Sequence, residues 1–168
     1  MKCKCRVDHG SLARLHRRGV DWVGPGSGAD AAMQARKAAV VDAALAFHGA
    51  ALRDPLEALR RVGGREFAAI TGAILAARMQ KIPVLLDGFA ATAAAAVLHA
   101  ANPGALDHCL LAGLSPEPGH ARAAERLGLR PLLELGMSHG EGVGAALAAG
   151  LVKAAALTSS GMAAAVKA

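Results

Sequence analysis

Glu141 is the residue whose surroundings point most directly to chemistry, because it stands between Gly140 and Gly142 at the start of an Ala-rich segment. A carboxylate flanked by two glycines has no neighbouring side chain in the sequence to pack against. It is either a charge that the dipole of the following helix favours or a carboxylate displayed to accept a proton from a ligand. Both interpretations place Glu141 at a helix start.

Asp87 and Ser115 are the next candidates, and each lies in a turn that follows an apolar run. Asp87-Gly88 comes directly after the run 82–86, and a glycine beside a carboxylate lets a ligand approach the backbone. The alternative is that Asp87 caps the following helix. Ser115 and Gly119 resemble an anion pocket, although Ser-Pro sequences also form ordinary turns. We therefore expect Asp87, Gly88 and Ser115 to bind substrate.

A glycine-rich loop offers a third candidate site, with Gly24, Gly26 and Gly28 at alternate positions before a helix. Backbone N–H groups at a helix start can hold a phosphate, and Lys37 in the following helix could add a positive charge. The loop lacks both the G-x-G-x-x-G spacing and the Gly-Lys-Ser/Thr of the common nucleotide-binding loops. A plain turn and a solvated lysine are therefore the alternatives.

Helices should make up most of the elements that hold these residues, because Ala dominates the apolar content and is a strong helix former. Asp30 predicts the start of a helix that ends near Gly49. Asp54-Pro55 predicts a second start, with Pro at the first helical position. Further helices are predicted from spacing over 66–80, 90–101 and 120–127, and after the glycines at 140–144.

Short apolar runs predict the strands. The run 83–87 does not alternate with polar residues, so we expect it to form a buried and central parallel strand. A second strand is predicted over 108–111, and 131–135 is ambiguous between strand and turn. Strands that alternate with helices predict an α/β fold, a helix-rich, Rossmann-like layered domain with a parallel sheet. Ligands bind such sheets at the carboxyl ends of the strands, where Asp87 and Ser115 fall.

The composition limits the classes of function. Hydrophobic residues make up 54% of the 168 residues and charged residues 19%, which excludes a highly charged disordered chain. Residues 1–22 hold six bases and two acids, so most of the net charge of +6 lies there. We expect a basic, poorly ordered lead-in over 1–22, with a polyanion-binding arm as the alternative, and one domain over 23–168. Aromatic residues are 2%, too few for base stacking, so no nucleic-acid partner is predicted.

The cysteines and the apolar runs bear on location. Cys3, Cys5 and Cys109 give an odd count and no disulfide framework, which predicts a reducing cytoplasm. Cys3 and Cys5 form no zinc-binding spacing with the nearby histidines, so we predict no metal site. No secretory signal is found, and the longest uncharged apolar run, 89–101, is shorter than the ~20 residues of a membrane span. We therefore expect a cytoplasmic protein with no membrane partner.

Several motifs, taken together, resemble one enzyme family in order and spacing. They are Arg61-Val62-Gly63-Gly64 with Glu66, then 82–89, 115–120, 135–137 and 140–147. From Val62 to Leu147 the chain resembles the nicotinate-nucleotide–dimethylbenzimidazole phosphoribosyltransferases. The loop 23–28 and Ala35-Arg36-Lys37 are similar to that family's phosphate-loop and lysine region.

The resemblance implies the transfer of ribose 5-phosphate from nicotinate mononucleotide to 5,6-dimethylbenzimidazole, which gives α-ribazole 5'-phosphate and nicotinate in cobalamin lower-ligand assembly. It implies that Glu141 is the general base and that Asp87-Gly88 lies near the ribose and nicotinate. No metal or redox cofactor is implied, because the leaving group already carries a ring cation. The resemblance also implies a phosphate and substrate site made of Gly24, Gly26, Gly28, Lys37, Ser115 and Gly140.

The family chain is about twice as long, and this chain resembles its C-terminal half. The resemblance therefore implies a partial family fold, with a second copy in a homodimer or a complementing N-terminal half as partner. Gly113 stands where the family commonly has His, which favours the alternative of a catalytically inactive or truncated nucleotide- or phosphate-binding module of the same fold. The intact glycine-flanked Glu141 favours the transferase.

Overall fold

The structure, a computed structural model, describes residues 19–26, 28–137 and 141–165. Within them, three parallel strands form one sheet in the order β1-β2-β3. The pairing of Leu86 with Leu111, and of Gly113 with Leu133, brings the three carboxyl ends to the same edge of the sheet. The strands are β1 (Val84–Leu86), β2 (Cys109–Gly113) and β3 (Pro131–Leu133).

The described part of the chain also contains six α-helices. The predicted cap at Asp30 is confirmed, because its carboxylate accepts the Met33 N–H at 2.7 Å. The predicted helix start at Asp54-Pro55 is confirmed as well, and there the Asp54 carboxylate accepts the N–H groups of Leu56 and Glu57. The α-helices are α1 (Ala31–His48), α2 (Pro55–Ala58), α3 (Gly64–Met79), α4 (Gly88–Ala101), α5 (Pro118–Leu127) and α6 (Val143–Ala165). The short 3₁₀ helices are Gly19–Asp21, Gly49–Arg53 and Pro103–Leu106.

A π-helical turn, Leu59–Gly63, joins α2 to α3 and contains most of the Arg61–Gly64 motif. Arg60 and Arg61 both donate to the Glu57 carboxylate within 2.9 Å. These hydrogen bonds lower the pKa of Glu57 to about 2. The ionic contacts are exposed, so they organise the turn locally and contribute little to stability.

The core lies between α4, its neighbours α3 and α5, and the sheet. Its fully buried side chains include Leu86 at the end of β1 and Leu111 in β2. The crossover helices α4 and α5 pack on each other, and α6 packs against all three strands. Many of the helix positions in this core are Ala, which buries little area. The large buried side chains come from both the strands and the helices: Leu86, Leu111, Ile74, Leu98 and Leu106.

The α/β fold with a parallel sheet is confirmed, and one expectation within it is wrong. The strand predicted over 83–87 is β1, at the edge of the described sheet, and β2 is the central strand. Only Leu86 of β1 is fully buried, while Val84 and Leu85 are half-buried. A run of three apolar residues shows that both faces are covered, but it carries no information about how many neighbouring strands it has.

Large apolar side chains remain exposed on α6. Over Val143–Ala163, this helix is long and apolar enough to cross a membrane by length and composition. One such helix is weak evidence for a membrane, because the core helix of a globular protein passes the same test. The sequence expectation rested on the run 89–101 and overlooked α6, whose apolar run is interrupted by Lys153.

Candidate functional site

Asp87 follows β1 and reaches across the carboxyl edge of the sheet to the start of α6. Its Oδ2 accepts the backbone N–H of Gly144 at 3.0 Å, and Gly144 is the second residue of α6. It makes no side-chain capping bond to its own helix α4, so the alternative of a local N-cap does not hold. A Cβ at Gly144 would lie 2.6 Å from the Asp87 carboxylate, so only glycine allows this approach.

A chain of hydrogen bonds joins the turns that follow β1 and β2, and His120 lies at its middle. The His120 Nδ1 accepts the Ser115 N–H at 2.9 Å, and the His120 Nε2 lies 3.0 Å from the Thr92 Oγ1. Thr92 donates in turn to the carbonyl of Gly88 at 3.0 Å. His120 is fully buried, and burial lowers its pKa, an effect that the charge of Asp87 opposes. Because Nδ1 accepts the Ser115 N–H, it carries no proton, and the imidazole in this arrangement is neutral.

A small cleft lies between these turns. Its volume is about 10 Å³, which is space for a single water molecule. The N-terminus of α6 lies beside it, through Val143 and Gly144. The lining residues come from the ends of all three strands and from the start of α6: Asp87, Gly88, Gly113, Leu114, Ser115, Met137, Val143 and Gly144.

Glu141 stands two residues before α6, exposed and with a φ of 54°. This left-handed conformation costs a non-glycine residue roughly 1–2 kcal/mol. Gly142 follows with a φ of 82°, and its carbonyl accepts the Ala146 N–H in the first turn of α6. Glu141 is therefore an exposed carboxylate in a disfavoured backbone conformation at a helix start. The predicted site residue Gly140 lies outside the described residues.

The glycine-rich loop packs against the turn that carries Ser115, and Glu117 makes the contact. The Glu117 Oε1 accepts the Gly26 N–H at 2.5 Å. A Cβ at Gly24 would collide with the same carboxylate, so this position requires glycine. Lys37 Nζ donates to the Gly24 carbonyl at 3.3 Å and lies near Gly26. Gly28 has a φ of 106° and supplies the turn into Asp30 and α1.

Residues 19–22, the end of the predicted lead-in, dock onto α1 and α5. The Gly19 N–H donates to Asp42 of α1 at 2.6 Å. On α5, Arg122 lies 3.7 Å from Asp21, and the Arg126 guanidinium lies 5.1 Å from the ring centroid of Trp22. Cys3, Cys5 and the other residues of 1–18 lie outside the described residues. The lead-in thus joins the domain before residue 23.

Comparison with known proteins identifies the family of this chain. A family model described as phosphoribosyltransferase matches residues 12–168. The chain is 66% identical over 143 residues to the nicotinate-nucleotide–dimethylbenzimidazole phosphoribosyltransferase of Rhizobium johnstonii, and 64% identical to that of Rhizobium meliloti. The chain belongs to the nicotinate-nucleotide–dimethylbenzimidazole phosphoribosyltransferase family. The matched stretch covers 85% of this chain and 42% of each relative's length.

Solved structures of the family agree with the fold. The crystal structure of CobT from Thermus thermophilus superposes with a TM-score of 0.78 at 42% identity, over 88% of this chain and 44% of that chain. A second structure of the phosphoribosyltransferase from the same organism gives a TM-score of 0.75 at 40% identity, over 88% of this chain and 42% of that chain. The chain thus spans less than half the length of the relatives it matches.

The structure of this phosphoribosyltransferase-family chain brings some of the predicted residues together. Asp87, Gly88 and Ser115 line one cleft, and Gly24, Gly26 and Lys37 approach the neighbouring turn through Glu117. Sequence reasoning passed over four residues that organise this edge. Three of them, Glu117, His120 and Gly144, lie in the motifs 115–120 and 140–147, so short-range spacing could have found them. Thr92 carried no such signal. The omitted residues are Thr92, Glu117, His120 and Gly144.

Proposed function

We propose that this chain carries out the transfer of ribose 5-phosphate from nicotinate mononucleotide to 5,6-dimethylbenzimidazole. The products are α-ribazole 5'-phosphate and nicotinate, and the reaction serves cobalamin lower-ligand assembly. The observation that carries this proposal is the strained, exposed Glu141, set at the N-terminus of α6 beside a cleft at the strands' carboxyl ends. The names of the relatives supply the substrates.

Glu141 acts as the general base in this reaction. One nitrogen of the benzimidazole gives its proton to the carboxylate, while the lone pair of the other ring nitrogen forms a bond to C1' of the ribose. The bond from C1' to the nicotinate nitrogen breaks, and its electron pair neutralises the pyridinium charge. Proton removal by a positioned carboxylate typically contributes ~10²–10⁴-fold in rate. The exposure of Glu141 leaves it open to an incoming base.

The phosphoribosyl group lies along the carboxyl edge. The N-terminus of α6 favours the negative charge of the phosphate, and Ser115 can donate its hydroxyl to an oxygen in the cleft. Gly88 has a φ of 79° and no atom within 4 Å of a built Cβ, so the ribose can approach the backbone there. Lys37 adds a cation on the far side of Glu117, beside the loop of Gly24, Gly26 and Gly28. The N–H groups of Gly26 and Gly28 already donate to Glu117 and to the Pro25 carbonyl, so a phosphate bound at this loop would have to replace those hydrogen bonds. Gly140 directly precedes Glu141 in the sequence.

We propose in addition that the protein works in the cytoplasm. We also propose that it does not act as a monomer. Exposed apolar side chains on α1 and α6 support a partner, which is a second copy or a polypeptide equivalent to the rest of the relatives' length. They are Val40, Val41, Leu45, Phe47, Leu147, Leu151, Leu157 and Met162. Exposed apolar surface of this extent usually marks a partner surface. Sedimentation that gives a stable monomer at high concentration would contradict this part of the proposal.

A catalytically inactive phosphate- or nucleotide-binding module is the second candidate. The observation that favours it is Gly113, where a Cβ would lie 3.2 Å from the Leu133 carbonyl and 3.4 Å from Met137. A larger residue there would have to displace the strand neighbour. The end of β2 therefore presents backbone to the cleft and no side chain. Such a surface binds a ligand but supplies no proton-transfer group.

Product formation separates the two candidates. The chain is incubated with nicotinate mononucleotide and dimethylbenzimidazole, alone and with a fragment that covers the rest of a full-length relative, and α-ribazole phosphate is measured by chromatography. Glu125→Gln serves as the matched control for Glu141→Gln, because Glu125 is an exposed carboxylate on α5. We expect product with the wild type and with Glu125→Gln. No product in either arrangement, together with retained binding of the mononucleotide, would favour the binding module.

A further inference from the structure

We propose that His120 is a positioning residue, which fixes Ser115 so that its hydroxyl faces a phosphoribosyl oxygen in the cleft. This inference rests on the function proposed above and assigns a role to a residue that the reaction itself does not require. The geometry that supports it is the continuous chain from the Gly88 carbonyl through Thr92 and His120 to Ser115. The chain connects the carboxyl ends of β1 and β2.

The hydrogen bonds leave only one arrangement of protons. A backbone N–H can only donate, so the His120 Nδ1 that receives the Ser115 N–H carries no proton. The neutral ring therefore carries its proton on Nε2 and donates it to the Thr92 Oγ1. The Thr92 hydroxyl then donates to the Gly88 carbonyl. Every donor points from the turn after β2, at Ser115, towards the turn after β1, at Gly88. Reversing any one hydrogen bond would therefore break the chain.

This arrangement directs the hydroxyl of Ser115. The Nδ1 has one lone pair, which already receives the backbone N–H. The Ser115 Oγ lies 2.9 Å from the same nitrogen, so its proton can only share that lone pair. An oxygen of a ligand in the cleft is a better acceptor, because it is not shared. Ser115 lines the cleft, so His120 holds the donor at its mouth.

The burial of His120 supports an indirect role. The side chain is fully buried and lies beside the ring of Phe89, with ring centroids 5.9 Å apart. It does not line the cleft. It cannot exchange a proton with a ligand without breaking its bonds to Ser115 or Thr92. Its effect on a ligand must therefore pass through the backbone and hydroxyl of Ser115.

Two amide substitutions test the inference. They differ in length by one methylene, so each places its amide at the position of a different ring nitrogen. In His120→Asn, the amide oxygen lies where Nδ1 was and can still accept the Ser115 N–H. In His120→Gln, the amide extends to the Nε2 position and keeps the contact with Thr92. If His120 acts only as a structural residue, the two variants should lose ligand affinity in proportion to their loss of stability.

Isothermal titration with nicotinate mononucleotide, thermal unfolding, and hydrogen exchange of the Ser115 amide are measured on the full chain for the wild type and both variants. We expect His120→Asn to bind about tenfold more tightly than His120→Gln, the effect of one hydrogen bond to the ligand. The Ser115 amide should stay protected in the Asn variant only. Ser115→Ala, which removes only the hydroxyl, should bind as weakly as His120→Gln.

The outcomes separate this inference from the proposed function. Equal affinities for the two amide variants, or affinities that follow their thermal midpoints, would overturn the positioning role. Failure of the wild type to bind the mononucleotide would contradict the proposed function. In that case hydrogen exchange of the Ser115 amide alone tests the positioning role. Equal protection of this amide in the two variants would overturn it.

Discussion

The two edges of the sheet carry similar residue types and use them differently. At the amino edge, the His108 Nε2 lies 3.0 Å from the Ile74 carbonyl, and Arg78 lies 3.5 Å from both the Ala105 carbonyl and Asp107. These groups bind helix carbonyls or each other. At the carboxyl edge, Asp87 and His120 instead connect turns that follow different strands. A parallel sheet gathers helix N-termini at only one edge. The same side-chain types therefore bond to nearby helices at the amino edge, and at the carboxyl edge they hold together the turns around the cleft.

Two residues with positive φ sharpen this comparison. Lys81 follows α3 and has a φ of 59°. Its N–H donates to the Arg78 carbonyl, and the N–H of Ile82 donates to the Ala77 carbonyl. This is the usual left-handed end of a helix, so its conformation has a structural cause. Glu141 has a φ of 54° but precedes a helix, where no such motif applies. The helix end that explains Lys81 therefore does not explain Glu141, and the proposed role as general base gives its conformation a functional cause.

Substitution of the two strained positions should give the largest difference in activity. Glu141→Gln removes the proton acceptor while keeping the shape, so we expect product formation to fall by ~10²–10⁴-fold. Lys81→Gln at the opposite edge should leave the rate unchanged. Initial rates of α-ribazole phosphate formation, in the arrangement that gives product, test both. Equal rates for wild type and Glu141→Gln would remove the catalytic role.

The two edge carboxylates should differ in their effect on the free energy of unfolding. Asp87→Ala removes a bond to the first turn of α6 and should cost about 0.5–2 kcal/mol, as loss of a helix cap does. Asp107→Ala removes an exposed pair at 3.5 Å and should cost less than about 0.5 kcal/mol. Denaturant titrations of both variants give the comparison. A larger loss for Asp107→Ala would contradict the assignment of Asp87 to α6.

Glycine at the two strained positions should separate stability from function. Both Lys81→Gly and Glu141→Gly relieve a left-handed non-glycine residue, so each should raise the free energy of unfolding by up to about 1 kcal/mol. Only Glu141→Gly should lose product formation. Thermal unfolding and the product assay on the same preparations test this. Destabilisation by Glu141→Gly would show that the loop does not hold this residue under strain.

The smallest effect concerns the acid side of the stability curve. Because burial lowers the pKa of His120, the unfolded chain binds a proton there below pH 6.5 more readily than the folded chain. Keeping His120 neutral in the folded chain therefore makes stability depend on pH. The free energy of unfolding has its full value above pH 6.5 and decreases as the pH falls through the lowered pKa. His120→Asn lacks the titrating group, so its stability should fall less steeply on acidification. Parallel curves for the two proteins would contradict a neutral, buried His120.

The sequence predicted the fold well where local signals decide it. The caps at Asp30 and Asp54, the strand near 84–86 and the glycine turns all follow from residue types over a few positions. It failed where the answer depends on distant partners. Nothing near Asp87 indicates that its carboxylate binds Gly144, because that bond spans 57 residues. The edge position of β1 and the link between His120 and Thr92 are likewise tertiary, so no local pattern records them.

The central claim is that a phosphoribosyl ligand binds at the carboxyl edge of the sheet, and an NMR titration tests it most directly. Nicotinate mononucleotide is added to the isotope-labelled chain, and the shifts of backbone amides are followed. The account predicts that the perturbed amides cluster at Gly88, Ser115 and 141–144. Amides at the amino edge, at Arg78, Lys81 and His108, should not move. Perturbations at the amino edge, or none at the carboxyl edge under saturating ligand, would contradict the account.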